Sequence, residues 1–256
     1  MQKPKLFISH IGEEAKLAEI LKTHFLNDFL GMIDVFVSSD NTSITVGNKW
    51  LNDIDEALKT AQVELILCSE GSVKRPWINF EAGAGWVKGI PVVPVCHTGM
   101  RAVDLPIPLN MLQAIEANDE NGLQKIYGLL AKNLGSATPT SNFAKIVAEV
   151  KVFEQDYGVI RVVRSAVQSL IKLLPQLEQI FRPLPVSKGA QGRVPELLLD
   201  KMLPHFESLQ NKRFIDFATG SNDFYFGETS GGNFIELNIQ VHDSYYQIAQ
   251  QVLESH

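Results

Sequence analysis

Trp77 and Glu81 stand four residues apart in "RPWINFEAGAGW", the stretch from Arg75 to Trp86 that directly follows an apolar run. Side chains at that spacing share one face of a helix, and Pro76 suits a first helical turn. A carboxylate so placed can oppose positive charge developing on a sugar and accept hydrogen bonds from its hydroxyls. The positive end of the helix dipole would help keep it ionised. Ala82, Gly83, Ala84 and Gly85 are small enough for the helix to lie close on a sheet. By residue type alone, a Glu is more often a solvated helix carboxylate and a Trp more often core packing.

Other chemistry-bearing residues gather at the ends of apolar runs. Ser9 and His10 follow the first run, Asp40 and Lys49 flank the segment after the second, Ser72 follows the third, and His97 ends the fourth. Ser9 and His10 can touch a phosphate or ribose, or cap a turn. Asp40 and Lys49 are solvated charges or nucleotide contacts, and His97 is equally open. His24, His205, His242 and His256 are scattered without ligand spacing, and no HExxH, Walker A or GxGxxG pattern occurs. "GAGW" falls mid-helix, which rules it out as a phosphate loop. No metal is expected.

These residues need elements to hold them. Strand-length apolar runs lie at 5–9, 34–39, 63–69 and 90–97, alternating with helical periodicity over 12–29, 47–61 and 76–88 and with helical material ending near Leu134. The strands are apolar on both faces, which fits a parallel sheet covered by helices on both sides. Right-handed crossovers then give a doubly wound α/β domain of four strands. Ligands of such sheets bind beyond the carboxyl ends of the strands. That is where Ser9, the Asp40–Lys49 segment, Ser72 and the helix of Glu81 would converge.

"GSATPTSN" (135–142) reads as a linker, dividing the chain into domains 1–136 and 137–256. In the second, 143–182 reads as helical, 182–195 as a loop and 196–210 as a helix. A β-hairpin around Ser230-Gly231-Gly232 and a last helix from Ser244 complete it. This half matches no nameable module. A sensing or oligomerising role, toward a signal molecule or partner protein, is the expectation for it.

The chain has 256 residues, a net charge of −6 and 45% hydrophobic residues, the composition of a globular protein with a sizeable core. An acidic chain without basic runs argues against nucleic acid. Cys68 and Cys96 sit in apolar runs and read as reduced core thiols. No apolar stretch approaches the ~18 residues of a membrane span. The N-terminus lacks a signal-peptide core, so a cytoplasmic location is expected.

Three pieces of sequence, in order, resemble a known family. "FISH" opens the chain, "DVFVSSD…SI..G..W...I..AL" follows, and "S…PW...E" stands after the third strand. Together they are similar to a bacterial TIR (Toll/interleukin-1 receptor) domain over roughly residues 4–135. The resemblance implies a flavodoxin-like fold. It also implies, for the enzymatic members, cleavage of NAD⁺ at the nicotinamide–ribose bond to nicotinamide and linear or cyclic ADP-ribose, often in antiphage defence. Glu81 then takes the catalytic position, with Ser9, His10, Asp40, Lys49, Ser72 and Trp77 as substrate-binding candidates. NAD⁺ is the substrate, and no further cofactor is implied. The 40–49 segment corresponds to a loop that closes over the ligand and mediates self-association. Arg75 and Ile78 depart from the Ser and Cys often found there, which leaves a non-catalytic adaptor as the alternative. A nucleoside deoxyribosyltransferase-like hydrolase is a third reading, because it too sets a carboxylate on an N-glycosidic bond.

Overall fold

The computed structural model describes residues 3–40, 56–225 and 232–253. The chain divides into two compact units that meet at Tyr157/Gly158. In the first, β1 (Lys5–Ile11), β2 (Asp34–Asp40), β3 (Ala61–Cys68), β4 (Val92–Cys96) and β5 (Ile115–Glu116) form one sheet in the order β2-β1-β3-β4-β5. Every pairing is parallel. This is the doubly wound, flavodoxin-like order, in which the strand succession reverses between β1 and β3. A fifth strand thus joins the four expected; two residues are too few to show a period.

Alternation along the strands assigns the two sheet faces. Leu6 and Ile8 of β1 and Val63, Leu65 and Leu67 of β3 pack with α1 (Ala15–Asp28) and α4 (Glu120–Leu134). Phe7 and Ile66 turn the other way. Phe7 packs with Ala57 and Leu58 of the helical segment 56–60 (α2), and Ile66 with Ile78 and Ala82 of α3 (Pro76–Lys88). Phe7 and Phe36 stack across β1 and β2 with ring centroids 5.5 Å apart. Most of the helix expected over 47–61, Trp50 included, lies outside the described residues. Ala61, expected to end it, opens β3. The expected helix at 12–29 begins as a 3-10 turn, Gly12–Glu14, before α1.

The 135–142 linker does not end this unit. The first half of α5 (Phe143–Leu173) returns to the same core through Ile146, Val147, Val150, Phe153 and Tyr157. The break between units therefore falls inside α5, some twenty residues beyond the boundary at 136/137. The Gly- and Ser-rich loop marks where the chain turns, while the apolar stripe after it marks where the core ends.

The second unit holds the rest of α5, α6 (Glu178–Phe181), β6 (Gly189–Pro195), α7 (Glu196–Asn211), β7 (Ile215–Tyr225), β8 (Gly232–Val241), α8 (Asp243–Tyr246) and α9 (Ala249–Leu253). Its sheet order is β6-β8-β7, both outer strands antiparallel to β8. α7 is therefore a crossover between parallel strands. Val167, Leu170, Phe181, Leu199, Phe206, Leu237 and Tyr245 are buried in its core. β6 falls where a loop was expected, because glycines and an edge position remove the usual alternation. The hairpin expected near Ser230 is present as β7 and β8, and residues 226–231 lie outside the described set. The single last helix expected from Ser244 is two short ones. Among the described residues no helix is long and apolar enough to cross a membrane.

Candidate functional site

α3 is set onto the sheet by its small residues. Pro76 occupies its first turn and Gly89, at φ 75°, closes it in the left-handed conformation. Gly85 is where helix and sheet come closest. A Cβ there would overlap Glu64 Oε2 and stand 2.8 Å from Val92 Cγ2, so a side chain at this position would force those groups to shift. One helical turn toward the N-terminus, Glu81 reaches Ser9 and Ser38 near the carboxyl ends of β1 and β2.

Glu81 is fully buried. Ser9 Oγ donates to its Oε2 at 2.5 Å and Ser38 Oγ to its Oε1 at 2.9 Å. Ser9 and Ser38 are register partners on adjacent strands, which brings both hydroxyls to one carboxyl group. Hydrogen bonds from hydroxyls to a carboxylate are charge-assisted, shorter and stronger than neutral ones. Glu81 is the sixth residue of α3, beyond the first-turn amides. The hydroxyls, rather than the helix dipole, are the groups it meets.

A second carboxyl group lies in the same layer. Glu64 of β3 is fully buried, and neither of its oxygens has a hydrogen-bond partner among the described residues. Burial raises it to about 9, the nearby Glu81 charge adds to the rise, and Lys88 opposes it. Lys88 Nζ itself donates to the carbonyls of Leu58 and Ala61 at 2.7 and 2.6 Å.

Trp77, His10 and Ser72 have other partners. Trp77 is partly buried against the Phe7 cluster and stacks on Phe80 at 5.2 Å. His10 is buried, and its Nδ1–H donates to the Ile11 carbonyl at 2.6 Å. Burial lowers its pKa, partly offset by that hydrogen bond and by Glu14. Ser72 closes the turn after β3: its hydroxyl donates to Leu67 O at 3.1 Å and accepts from Ser69 N at 2.7 Å. Asp40 ends β2; its side chain and all of Lys49 lie outside the described residues.

Ser72 belongs to a buried polar cluster centred on Glu14. Glu14 Oε1 accepts from Ser69 Oγ at 2.6 Å and lies 3.0 Å from His97 Nε2, while Oε2 accepts from Ile11 N at 3.2 Å. His97 Nδ1 is 2.9 Å from Thr98 Oγ1, and Ser69 Oγ is 3.2 Å from Tyr157 Oη. The cluster ties the ends of β1, β3 and β4 together. Ser38, Glu64, Glu14 and Ser69 lie in these buried polar layers, and residue spacing alone does not single them out. Glu64 carried a signal, a lone acid inside "VELILC". Cys68 and Cys96 are free, buried and paired in register, and burial holds both thiols protonated.

The chain was compared with known proteins. No curated protein matches it. Among solved structures, it resembles the substrate-bound structure of BacF from Bacillus subtilis at 8% identity and a TM-score of 0.33, covering 98% of this chain and 68% of that one. A likeness at that level carries no argument. The TIR domain family model matches residues 6–127, the span that contains the parallel sheet, α3 and Glu81. With that match laid over a 2-1-3-4-5 parallel sheet, the N-terminal unit of this chain is a TIR domain.

Proposed function

We propose that this protein cleaves NAD⁺ at the nicotinamide–ribose bond, with Glu81 as the catalytic carboxylate. The observation that carries the reading is Glu81 itself, held by Ser9 and Ser38 at the carboxyl edge of a parallel sheet, where nucleotides bind in folds of this order. As the C1′–N bond breaks, its electron pair passes to the pyridine nitrogen. Nicotinamide was cationic in NAD⁺, so it departs neutral and needs no general acid. Positive charge builds on the ribose, and a carboxylate beside it stabilises that charge while accepting from the ribose hydroxyls. Water, or a nucleophile within the same molecule, then attacks C1′ to give linear or cyclic ADP-ribose. Activation by self-association through the 40–49 segment, and a role in antiphage defence, complete the reading.

The experiment is nicotinamide release by the purified full-length chain, wild type against Glu81→Ala, with and without induced clustering. Loss of release in the variant is the expected result; an equal rate in the two proteins removes the assignment. The second reading, a non-catalytic interaction module, is favoured by the exposed apolar residues Phe80, Trp86 and Val87 on α3. It predicts no nicotinamide release under any clustering condition.

A further inference from the structure

Glu64 has no place in the chemistry above, yet it is a buried carboxyl group whose two oxygens both lack a hydrogen-bond partner among the described residues. A buried carboxyl group without a hydrogen-bond partner forfeits its hydration and gets nothing back. Its oxygens face the backbone of Gly85, one helical turn past Glu81, and the neighbouring strand positions offer Phe7 and Val92. Among the described residues the ionisable groups around it are few. From α3, Glu81 opposes its ionisation and Lys88 favours it; Lys5 at the start of β1 acts on Lys88 instead. Glu56 and Lys59 of α2 are exposed, and β4 contributes only the buried Cys96 thiol.

Two buried carboxyl groups, one against Gly85 and the other a helical turn away on the same helix, cannot both ionise cheaply in a dry layer. Glu81 has two hydroxyl donors and Glu64, among the described residues, none. We propose that Glu64 is a positioning residue for Glu81: a neutral carboxylic acid beneath Gly85 that leaves the negative charge of the pair on Glu81. Glu64 holds the pair's one proton, and Glu81 is thereby the anion the reaction needs. When Glu64 ionises, a second negative charge beneath α3 repels Glu81 from its serine partners, and the site fails. The role rests on the NAD⁺-cleaving reading for its use, but its physical content does not.

Three measurements on the full-length chain decide it. Infrared difference spectra of the wild type against Glu64→Gln should show a protonated carboxylic acid band at neutral pH, absent from the variant, that titrates away near pH 9. The Tm of Glu64→Gln should rise relative to wild type as pH increases from about 5 toward 9. The folded pKa of Glu64 lies above its unfolded value, so its contribution is lost across that window. Turnover of NAD⁺, normalised to its own value at neutral pH, should fall on the alkaline side in wild type and fall less in Glu64→Gln. An ionised Glu64 at neutral pH, or a Tm difference flat in pH, overturns the proposal. If Glu64→Gln fails to fold, the alkaline loss of the acid band in wild type alone decides the same point. Absence of any turnover in wild type counts against the NAD⁺ reading and leaves the infrared and thermal results to judge Glu64.

Discussion

Ser9 and Ser38 are register partners on adjacent parallel strands, and each gives its hydroxyl to a different oxygen of Glu81. Two strands and one helix thus converge on a single carboxyl group. Hydrogen bonds to a charged group contribute about 1.5–3 kcal/mol each. Ser9→Ala and Ser38→Ala should each lower NAD⁺ turnover about tenfold or more, and Glu81→Gln by about 100-fold or more. Steady-state nicotinamide release measures all three. Full turnover in the double serine variant would show that the hydroxyls are structural only.

Gly85→Ala should destabilise the protein by about 1–3 kcal/mol, the usual cost of overpacking a core. The added methyl meets Glu64 Oε2 first. Shortening that side chain, as Glu64→Ala, should therefore relieve much of the penalty. A double-mutant cycle by urea denaturation checks this; simple additivity contradicts the contact.

Glu14→Ala removes the acceptor shared by Ser69 Oγ and Ile11 N and the partner of His97 Nε2. Leaving buried hydrogen-bonding groups without their partner costs roughly 1–3 kcal/mol. The expected sign is a lower denaturation midpoint with little change in slope.

His10 sets an acid-side slope. Its folded pKa lies below the ordinary histidine value because burial disfavours the charged ring. The stability it contributes is present above the unfolded value near 6.5 and is lost as pH falls below it. His10→Asn keeps a donor near the Ile11 carbonyl without the titration. Its Tm should decline less than that of wild type between pH 7 and 5; parallel curves would exclude His10 as the cause.

A chain cut after Tyr157 should unfold cooperatively, whereas one cut after Ser136 should not. The difference is the apolar stripe of α5, from Ile146 to Tyr157, which completes the first core. Circular dichroism melts of the two fragments decide it, and equal cooperativity would place the edge of the unit at the loop.

Much of the first unit was readable from residue patterns alone. Four buried strands and α3 show as apolar runs and a helical period, and Trp77–Glu81 shows as a spacing. Of the partners of Glu81, Ser9 shows as a strand-end residue bound for the same edge, whereas Ser38, 43 residues away, does not, because only strand register brings it in. Glu64 hid for a related reason: one acid in a strand is unremarkable until the helix crossing it proves to carry no side chain at the contact. His10 was a candidate by its place at a strand end. Strand alternation turns it to the face opposite Ser9, so proximity in sequence misled. β6 escaped because an edge strand rich in glycine lacks the periodicity that marks a core strand.

The glycine contact of α3 with β3 and β4 also constrains how the protein can work. At Gly85 the helix lies on the sheet with no side chain between them, and the buried Ile78 and Ala82 pack beside that contact, which leaves the helix little room to slide or roll. The acid it carries is a fixed post rather than a swinging arm. Under the proposed NAD⁺-cleaving function, an on-switch then belongs among the parts that approach that post.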